Sequence, residues 1–594
     1  MKYFNKIAVA AALSVASMSC SDLLEPAFEP SKDPDQMIDY ANYADQLLYS
    51  AYIMMPYTSN VQSDMATDDA VCNDNANEYL KLATGAWNAN NGTLSIWKNG
   101  RGSIQFINEL LSRVDEVKFS DNEKKNELFA RRIKGEALGL RALFMFHLLR
   151  QHGGYVGGEL LGVPLLLEPE NSQSDFNQPR ATFKACMEQL LADADQAAEL
   201  LPNDYGNLSS AADIPAKFQS YGLSSDEYND VFGDIFTGRL TARIANAISA
   251  QAALMAASDA FSAGSGITWE DAANRAAKVI DSKGGVSGLA QNGHLWYSAS
   301  EVNNNKSFVN PAEVLWRANV DAGRSLEEEY FAPTLRGKGR VNPTQNLVDA
   351  FPMANGYPIT DAAHSGYDKN NPYADRDPRL EAYIVFNGSK CGHNNATITT
   401  ATYGTNNDAL NAEQGYSTRT GYYMRKLLRN DVNCDPSVED NKDHIPARIR
   451  FTEIYLAYAE AANEAWGPTG SGSHGYSAYD VIKAIRNRAG IGQYGGDPYL
   501  ESCRGSKDAM RDLIRNERRI ELCFEGKRFW DLRRWKADIT DTARGMRISG
   551  SEGSPVYEVI DVESRKYDTY MIYGPIPYGE TVKFSNLVQN DGWK

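Results

Sequence analysis

The sequence lacks the marks of the common catalytic classes. No His-Glu-x-x-His pair offers a zinc site, no Gly-x-Ser-x-Gly turn presents a nucleophile, and no Walker or Rossmann glycine pattern cradles a phosphate. The glycine-rich run GGYVGGEL at Gly153–Leu160 follows a helical pattern, the wrong context for phosphate binding. Histidine is scarce: seven residues are scattered along 594, and His147 sits in an apolar helical stripe, where a packed core histidine is expected. Seven cysteines show no CxxC spacing, and Cys391-Gly392-His393 stands as an isolated triplet, so no metal site is expected. Acidic spots such as Asp68-Asp69 and Asp368 do not have the spacing of a calcium loop. No cofactor is expected. Beyond the first twenty residues no apolar run reaches the roughly 18 residues of a membrane-spanning helix. Excess positive charge is also missing: 60 Lys+Arg stand against 77 Asp+Glu, a net charge of −17, which repels phosphate backbones and argues against nucleic-acid binding. These absences do not dispose of a glycosidase. That chemistry needs only two carboxylates across a cleft, and 77 acids always supply a pair.

The N-terminus is informative. MKYFNKIAVAAALSVASMSC carries Lys2 and Lys6, then an apolar run from Ile7 to Ala16, then small residues before Cys20. This reads as a secretory signal over residues 1–19, too short to span a membrane. The cysteine after Ser17-Met18-Ser19 is similar to a bacterial lipoprotein cleavage box, with Ser17 where Leu is usual. Cys20 is therefore expected to be the lipid anchor, and several acyl chains there would hold the protein at a membrane, each buried CH₂ contributing roughly 0.8 kcal/mol. Residues 20–35, polar and proline-containing, read as a tether. Of the other cysteines, Cys391 and Cys434 bracket an Asn/Thr/Gly-rich loop and are candidates to pair, while Cys186 and Cys523 lie in apolar helical patterns and are expected in the core.

Helical periodicity recurs in separate blocks. Ile133, Ala137, Leu140, Phe144 and His147 share one face, as do Ile244, Ile248, Ala252 and Met255. Thr268-x-x-Asp271 forms a capping box ahead of Ala273, Ala276, Ala277 and Ile280. Ala457, Ala461 and Ala465 recur every turn, a stripe that lets a second helix approach closely, and the block from Ala478 to Ala489 is its expected partner. That block opens with Ser477-x-x-Asp480 and closes at Gly490, a natural residue to follow a helix C-terminus. Alanine-rich helices in pairs predict tetratricopeptide-like units that stack rather than close on one core. Long Asn/Gly/Ser/Tyr-rich segments intervene at about residues 62–92, 284–330 and 385–421, and the last residues, from Tyr573, read as an extended tail lying on the body.

The stretch Asn516–Lys536 (NERRIELCFEGKRFWDLRRWK) packs seven basic and four acidic side chains among Ile520, Leu522, Phe524, Phe529, Trp530, Leu532 and Trp535. On a helix Leu513, Ile520 and Phe524 share a face and the charges of both signs alternate, so the expectation is structural ion pairing rather than a basic surface.

Taken in order, several pieces carry a family resemblance. They include SCSDLLEP after the leader, GEALGLRALFMFHLLRQHGG from Gly135, GRLTARIANAISAQAALMAA, DRDPRL from Asp375, TGYYMRK from Thr420, RIRFTEIYLAYAEAANEA from Arg448, LIRNERRIELCFEGKRFWDLRRW and PIP at Pro575–Pro577. The chain resembles the SusD/RagB family of nutrient-binding outer-membrane lipoproteins. The resemblance implies a mostly α fold, in which tetratricopeptide-like helix pairs form a superhelical body supporting an irregular, loop-rich half. It implies one SusD-like unit over residues 36–594, with an N-terminal part of about 36–285 and a C-terminal part of about 286–594. It also implies a non-catalytic protein exposed on the outer membrane that captures oligosaccharides and delivers them to a SusC-like TonB-dependent transporter. The alternatives are a receptor for peptides or other nutrients, and a surface hydrolase.

Family ligand contacts come from variable loops, so the candidates rest on chemistry alone. Aromatic rings stack on the C–H faces of sugars, and amide, carboxylate and guanidinium groups meet their hydroxyls. The loops offer Tyr79, Trp87 and Asn88, with Asp74, Asn75 and Asn90 beside them; Trp296 and Tyr297, near Asn303; and Tyr330 and Arg340, near Arg336. Trp87 and Trp296 sit in Asn-rich loops outside any apolar stripe and are expected to be exposed stacking platforms.

Overall fold

The computed structural model describes residues 41–57, 62–90, 92–305, 309–493 and 495–594. The expected signal over residues 1–19, Cys20 and the expected tether to residue 35 lie outside the described residues.

Eight helices build the body: α1 (Ala41–Ile53), α2 (Trp97–Arg113), α3 (Glu123–His152), α4 (Phe183–Leu200), α5 (Ala242–Ala257), α6 (Trp269–Ser282), α7 (Phe451–Trp466) and α8 (Ala478–Arg488). Each packs on the one before it, so the body extends by stacking, as the paired pattern implied. The local signals hold in detail. Thr268 and Ser477 both close capping boxes, with Asp271 and Asp480, and Gly490 follows α8 in the left-handed region at φ +92°. In α3 the small residues have a packing reason: a Cβ at Gly139 would collide with Leu240, and one at Gly135 with Leu201. Ala461 is fully buried in α7, which packs not only on α8 but also on α6 and on α9 (Lys507–Glu521).

The loop-rich half has its own core, which includes Val341, Leu347, Tyr383, Tyr422 and Phe524. Most of its strands are short, apart from the hairpin of Ala543–Ser551 and Ser554–Glu563, and several pairs span long sequence separations. Ala70–Cys72 runs antiparallel to Val341–Pro343, Val314–Arg317 to Ala447–Arg450, and Asp321–Gly323 to Lys442–His444. Cys391 and Cys434 are buried here as free thiols and do not pair. The C-terminal segment lies on the body but is not wholly extended: Tyr578–Lys583 forms a short helix, and Ile576 and Leu587 enter the core of the helical body.

The charged stretch is an interior seam. It forms the end of α9, a turn at Gly526 and α10 (Arg528–Arg534). Phe524 lies beyond the helix at φ +61°, so it leaves the helical face and turns into the core of the loop-rich half. Arg519 and Arg528 both clasp Asp68, at 2.9 and 2.8 Å; Arg518 binds Asp531 at 2.8 Å; and Arg534 binds Glu460 at 2.6 Å. Glu521 is met by Arg488 at 2.6 Å, Arg379 at 2.9 Å and Arg450 at 3.5 Å. Burial raises the Glu521 carboxyl, but Arg488, Arg450 and Arg379 outweigh it and hold the group well below the carboxylate range. These charges face each other inside the protein, as the mixed signs predicted.

Candidate functional site

Two neighbouring spaces in the loop-rich half meet at Tyr297. The outer one is an open groove of about 810 Å³. Its apolar surfaces come from Tyr297, Phe331 and Leu428, and its polar groups from Glu381, Arg425 and Asn430. Asp431 and His393 stand at the same groove. The volume falls within the range of small-molecule sites, and an aromatic floor with convergent polar groups is the usual composition of such a site.

Several of these groups are held in place. Arg429 binds Asp431 through two hydrogen bonds of 2.8 Å, and those bonds hold the Asp431 carboxyl below its ordinary range. Asn430 Oδ1 accepts from the Gly392 N–H at 2.7 Å, which fixes the amide and keeps Nδ2 as a donor. Gly392 sits at φ +76°, and a Cβ there would strike Leu335, so no other residue fits this wall unstrained. Arg425 has no ion pair among the described residues and donates to the Glu381 carbonyl at 3.3 Å, which leaves most of its donors for a ligand. Glu381, His393, Asn430 and Asp431 are exposed.

Behind Tyr297 lies a smaller chamber of about 130 Å³, between the loop-rich half and the start of α7. Trp296 and Tyr297 form part of its wall with their rings edge to face, centroids 5.8 Å apart. Three buried polar atoms around it, Tyr57 Oη, Trp296 Nε1 and Arg448 Nε, have no hydrogen-bond partner among the described residues. Buried polar atoms are rarely left unpaired, so the chamber is suited to water or to the hydroxyls of a bound molecule.

The sequence candidates divide. Tyr297 lines the groove and the chamber, and Trp296 lines the chamber alone; both rings are over nine-tenths buried, so neither is the exposed platform expected. Trp87 is a core residue. It packs against Phe529, Tyr567 and Trp593 in a separate cluster, because the loop carrying it folds under the C-terminal segment. The Asn88 side chain is spent on its own turn, donating to Ala86 O at 3.0 Å and accepting from Asn90 N at 2.9 Å. Tyr330 is buried in the core of the loop-rich half, and burial pushes its phenol up. Arg340 lies elsewhere on that half, bonded to Gly415 O at 2.8 Å and Asn73 Oδ1 at 3.3 Å. Tyr79 is half-buried and packs against the same core as Tyr330. The structure does not bring these seven together. Phe331 was passed over beside Tyr330, and Glu381, Arg425, Asn430 and Asp431 went unmarked because single polar residues spread over some fifty positions carry no pattern; the one local hint was the isolated triplet ending at His393.

Comparison with known proteins bears on the family and the fold. Residues 294–593 match the family model described as the SusD family, and residues 27–223 match one described as "Starch-binding associating with outer membrane". A curated relative, SusD-like protein P2 of Formosa agariphila, is 31% identical over 153 residues, and the match spans only 26% of this chain and 26% of that protein. Among solved structures, a SusD-like protein of Bacteroides fragilis superposes with a TM-score of 0.69 at 22% identity, covering 95% of this chain and 100% of that one. A second from the same organism, described as a SusD-like carbohydrate binding protein, gives 0.66 at 20% identity, covering 93% and 100%.

Proposed function

Because the chain belongs to the SusD family, we propose that it is a non-catalytic outer-membrane lipoprotein that captures oligosaccharides in the groove at Tyr297 and hands them to a SusC-like TonB-dependent transporter. The observation that carries the binding role is the composition of the groove. Tyr297 and Phe331, each less than a tenth exposed, offer only the small part of their rings that reaches the groove, while the more exposed Arg425, Asn430 and Asp431 present donors and acceptors to sugar hydroxyls. The starch-binding description of the matching family model and the carbohydrate-binding description of one structural neighbour support the ligand class. Acyl chains on Cys20 supply the anchor, with residues 20–35 as the tether.

A glycan array probed with the protein lacking its leader identifies the ligand, and calorimetry on Tyr297→Ala and Asn430→Ala tests the site. Loss of a ring contact is expected to weaken binding about tenfold, by analogy with stacking of bases on aromatic side chains. Unchanged affinity in both variants moves the site elsewhere. Incubation with the selected glycan is expected to release no new reducing ends; their release would make the protein a hydrolase. Binding of peptides and no glycan would favour the peptide-receptor alternative.

A further inference from the structure

A second, smaller cavity of about 50 Å³ lies inside the body, among α3, α5, α7 and α10. Five cations line it: Arg150, Arg518, Lys527, Arg533 and Arg534. Only two carboxylates do, Glu453 and Asp531. Lys527 pairs with Glu453 at 2.8 Å. Asp531 is shared by Arg518 and Arg534, each at 2.8 Å, and Arg534 also takes Glu460 from outside the cavity. Arg150 and Arg533 have no carboxylate partner among the described residues. Arg150 bonds only to His147 Nδ1, at 3.0 Å, and Arg533 to the carbonyls of Met571 and Phe529, both at 3.1 Å. Five positive charges thus meet three negative ones, leaving two unmatched.

Among the described residues, three N–H donors around this cavity have no acceptor, Arg150 Nε, Arg518 Nη1 and Arg533 Nη2, against one acceptor without a donor, Gln251 Oε1. Arg518 and Arg533 are only 5% and 3% exposed, so bulk water does not serve them. Ring stacking relieves part of the cost. Arg150 lies 4.5 Å over Trp530, and Arg533 lies 3.4 Å over Phe529. Such contacts engage the face of a guanidinium, whereas its N–H bonds point outward in the plane and still need acceptors. Burial brings both guanidinium groups down to about 10, so both stay charged at neutral pH.

We propose that this cavity binds one small monovalent inorganic anion of the halide class. The volume suits a single ion. The rest of the wall is largely apolar, with Phe146, Leu254, Met255 and Ile572; of its other polar members Trp530 presents its ring to Arg150 and Gln251 gives its Nε2 to Glu453 at 2.8 Å, so few donors remain to orient the oxygens of a larger oxyanion, whereas a spherical halide needs only convergent N–H groups. The anion would neutralise one of the two unmatched charges and accept the three unpaired hydrogen bonds. The site is structural, tying α3 to α9 and α10, and is separate from the groove at Tyr297.

Crystals of the leaderless protein soaked in sodium bromide test this directly. The expected result is one anomalous peak in the cavity, within hydrogen-bond distance of Arg518 and Arg533; water without anomalous signal there overturns the proposal. In solution the melting temperature is expected to rise saturably with chloride against gluconate at equal ionic strength, since a ligand of the folded state stabilises it. Met255→Glu, which puts a fixed carboxylate into the cavity, is expected to abolish that dependence, and Met255→Leu to keep it. A halide response that survives in a folded Met255→Glu protein places the ion elsewhere and overturns the assignment. If Met255→Glu does not fold, the bromide map on the natural sequence decides.

Discussion

The indole of Trp87 packs against the indole of Trp593, with ring centroids 4.9 Å apart and planes at 70°. A loop near the start of the described chain is thereby locked to the C-terminal segment, with the Arg533 guanidinium 5.2 Å from the Trp87 ring. Trp87→Ala is expected to cost about 3–5 kcal/mol, the usual range for emptying a buried tryptophan site. Urea denaturation measures it. Glycan affinity in the variant, measured where it remains folded, is expected to be unchanged, because Trp87 does not line the groove; a tenfold loss with normal stability would restore it as a ligand contact.

Glu521 sets an acid limit. Its carboxyl is held below its unfolded value, so the stability it contributes is fully present above that value, near pH 4.5, and is lost as pH falls below it. Glu521→Gln is expected to be strongly destabilised at pH 7, by about 3–5 kcal/mol, since it leaves three arginines short of a charge. The gap to the natural protein should narrow below pH 4. A gap constant from pH 7 to pH 3 would mean that the network is not what holds α9.

Asp64 acts in the opposite sense. It is fully buried, one oxygen accepts from the Gly526 N–H at 3.0 Å, and the other has no partner among the described residues. Burial, with Asp69 adding to it, pushes the Asp64 carboxyl up to about 8. The folded state therefore holds a proton that the unfolded state releases near pH 4, so stability falls by up to about 1.4 kcal/mol per pH unit between roughly pH 4 and 8. Asp64→Asn removes this dependence. The variant is expected to gain on the natural protein as pH rises through that window, as read from denaturation midpoints; parallel curves would refute it.

Ala461 is fully buried in α7, which is enclosed by α6, α8 and α9. Ala461→Leu would overpack these contacts and is expected to cost about 1–3 kcal/mol. A melting temperature unchanged within error would show that the neighbours yield freely.

The helical body was legible because its signals are local. A capping box needs residues three apart, and an apolar stripe repeats every turn, so Thr268-Asp271, Ser477-Asp480 and the Ala457–Ala461 stripe declare helices without reference to the rest of the chain. The candidate site was much less legible. Tyr297 was found because an aromatic stands out in a polar loop, but Trp87 stood out equally and proved to be core. A loop's sequence does not show which side of it another segment will cover.

From the sequence came the helix pairs and the structural nature of the charged stretch, each resting on spacing or sign along a few neighbouring residues, and the family resemblance, with the loop-rich half it implies, which rested on the order of motifs along nearly the whole chain. Tertiary structure decided which charges meet and which rings stay wet. Arg519 binds an aspartate 451 residues away, and Trp87 is sealed by Trp593. Ion pairing and burial depend on distance through space, which falls off over a few ångströms and which sequence separation does not encode.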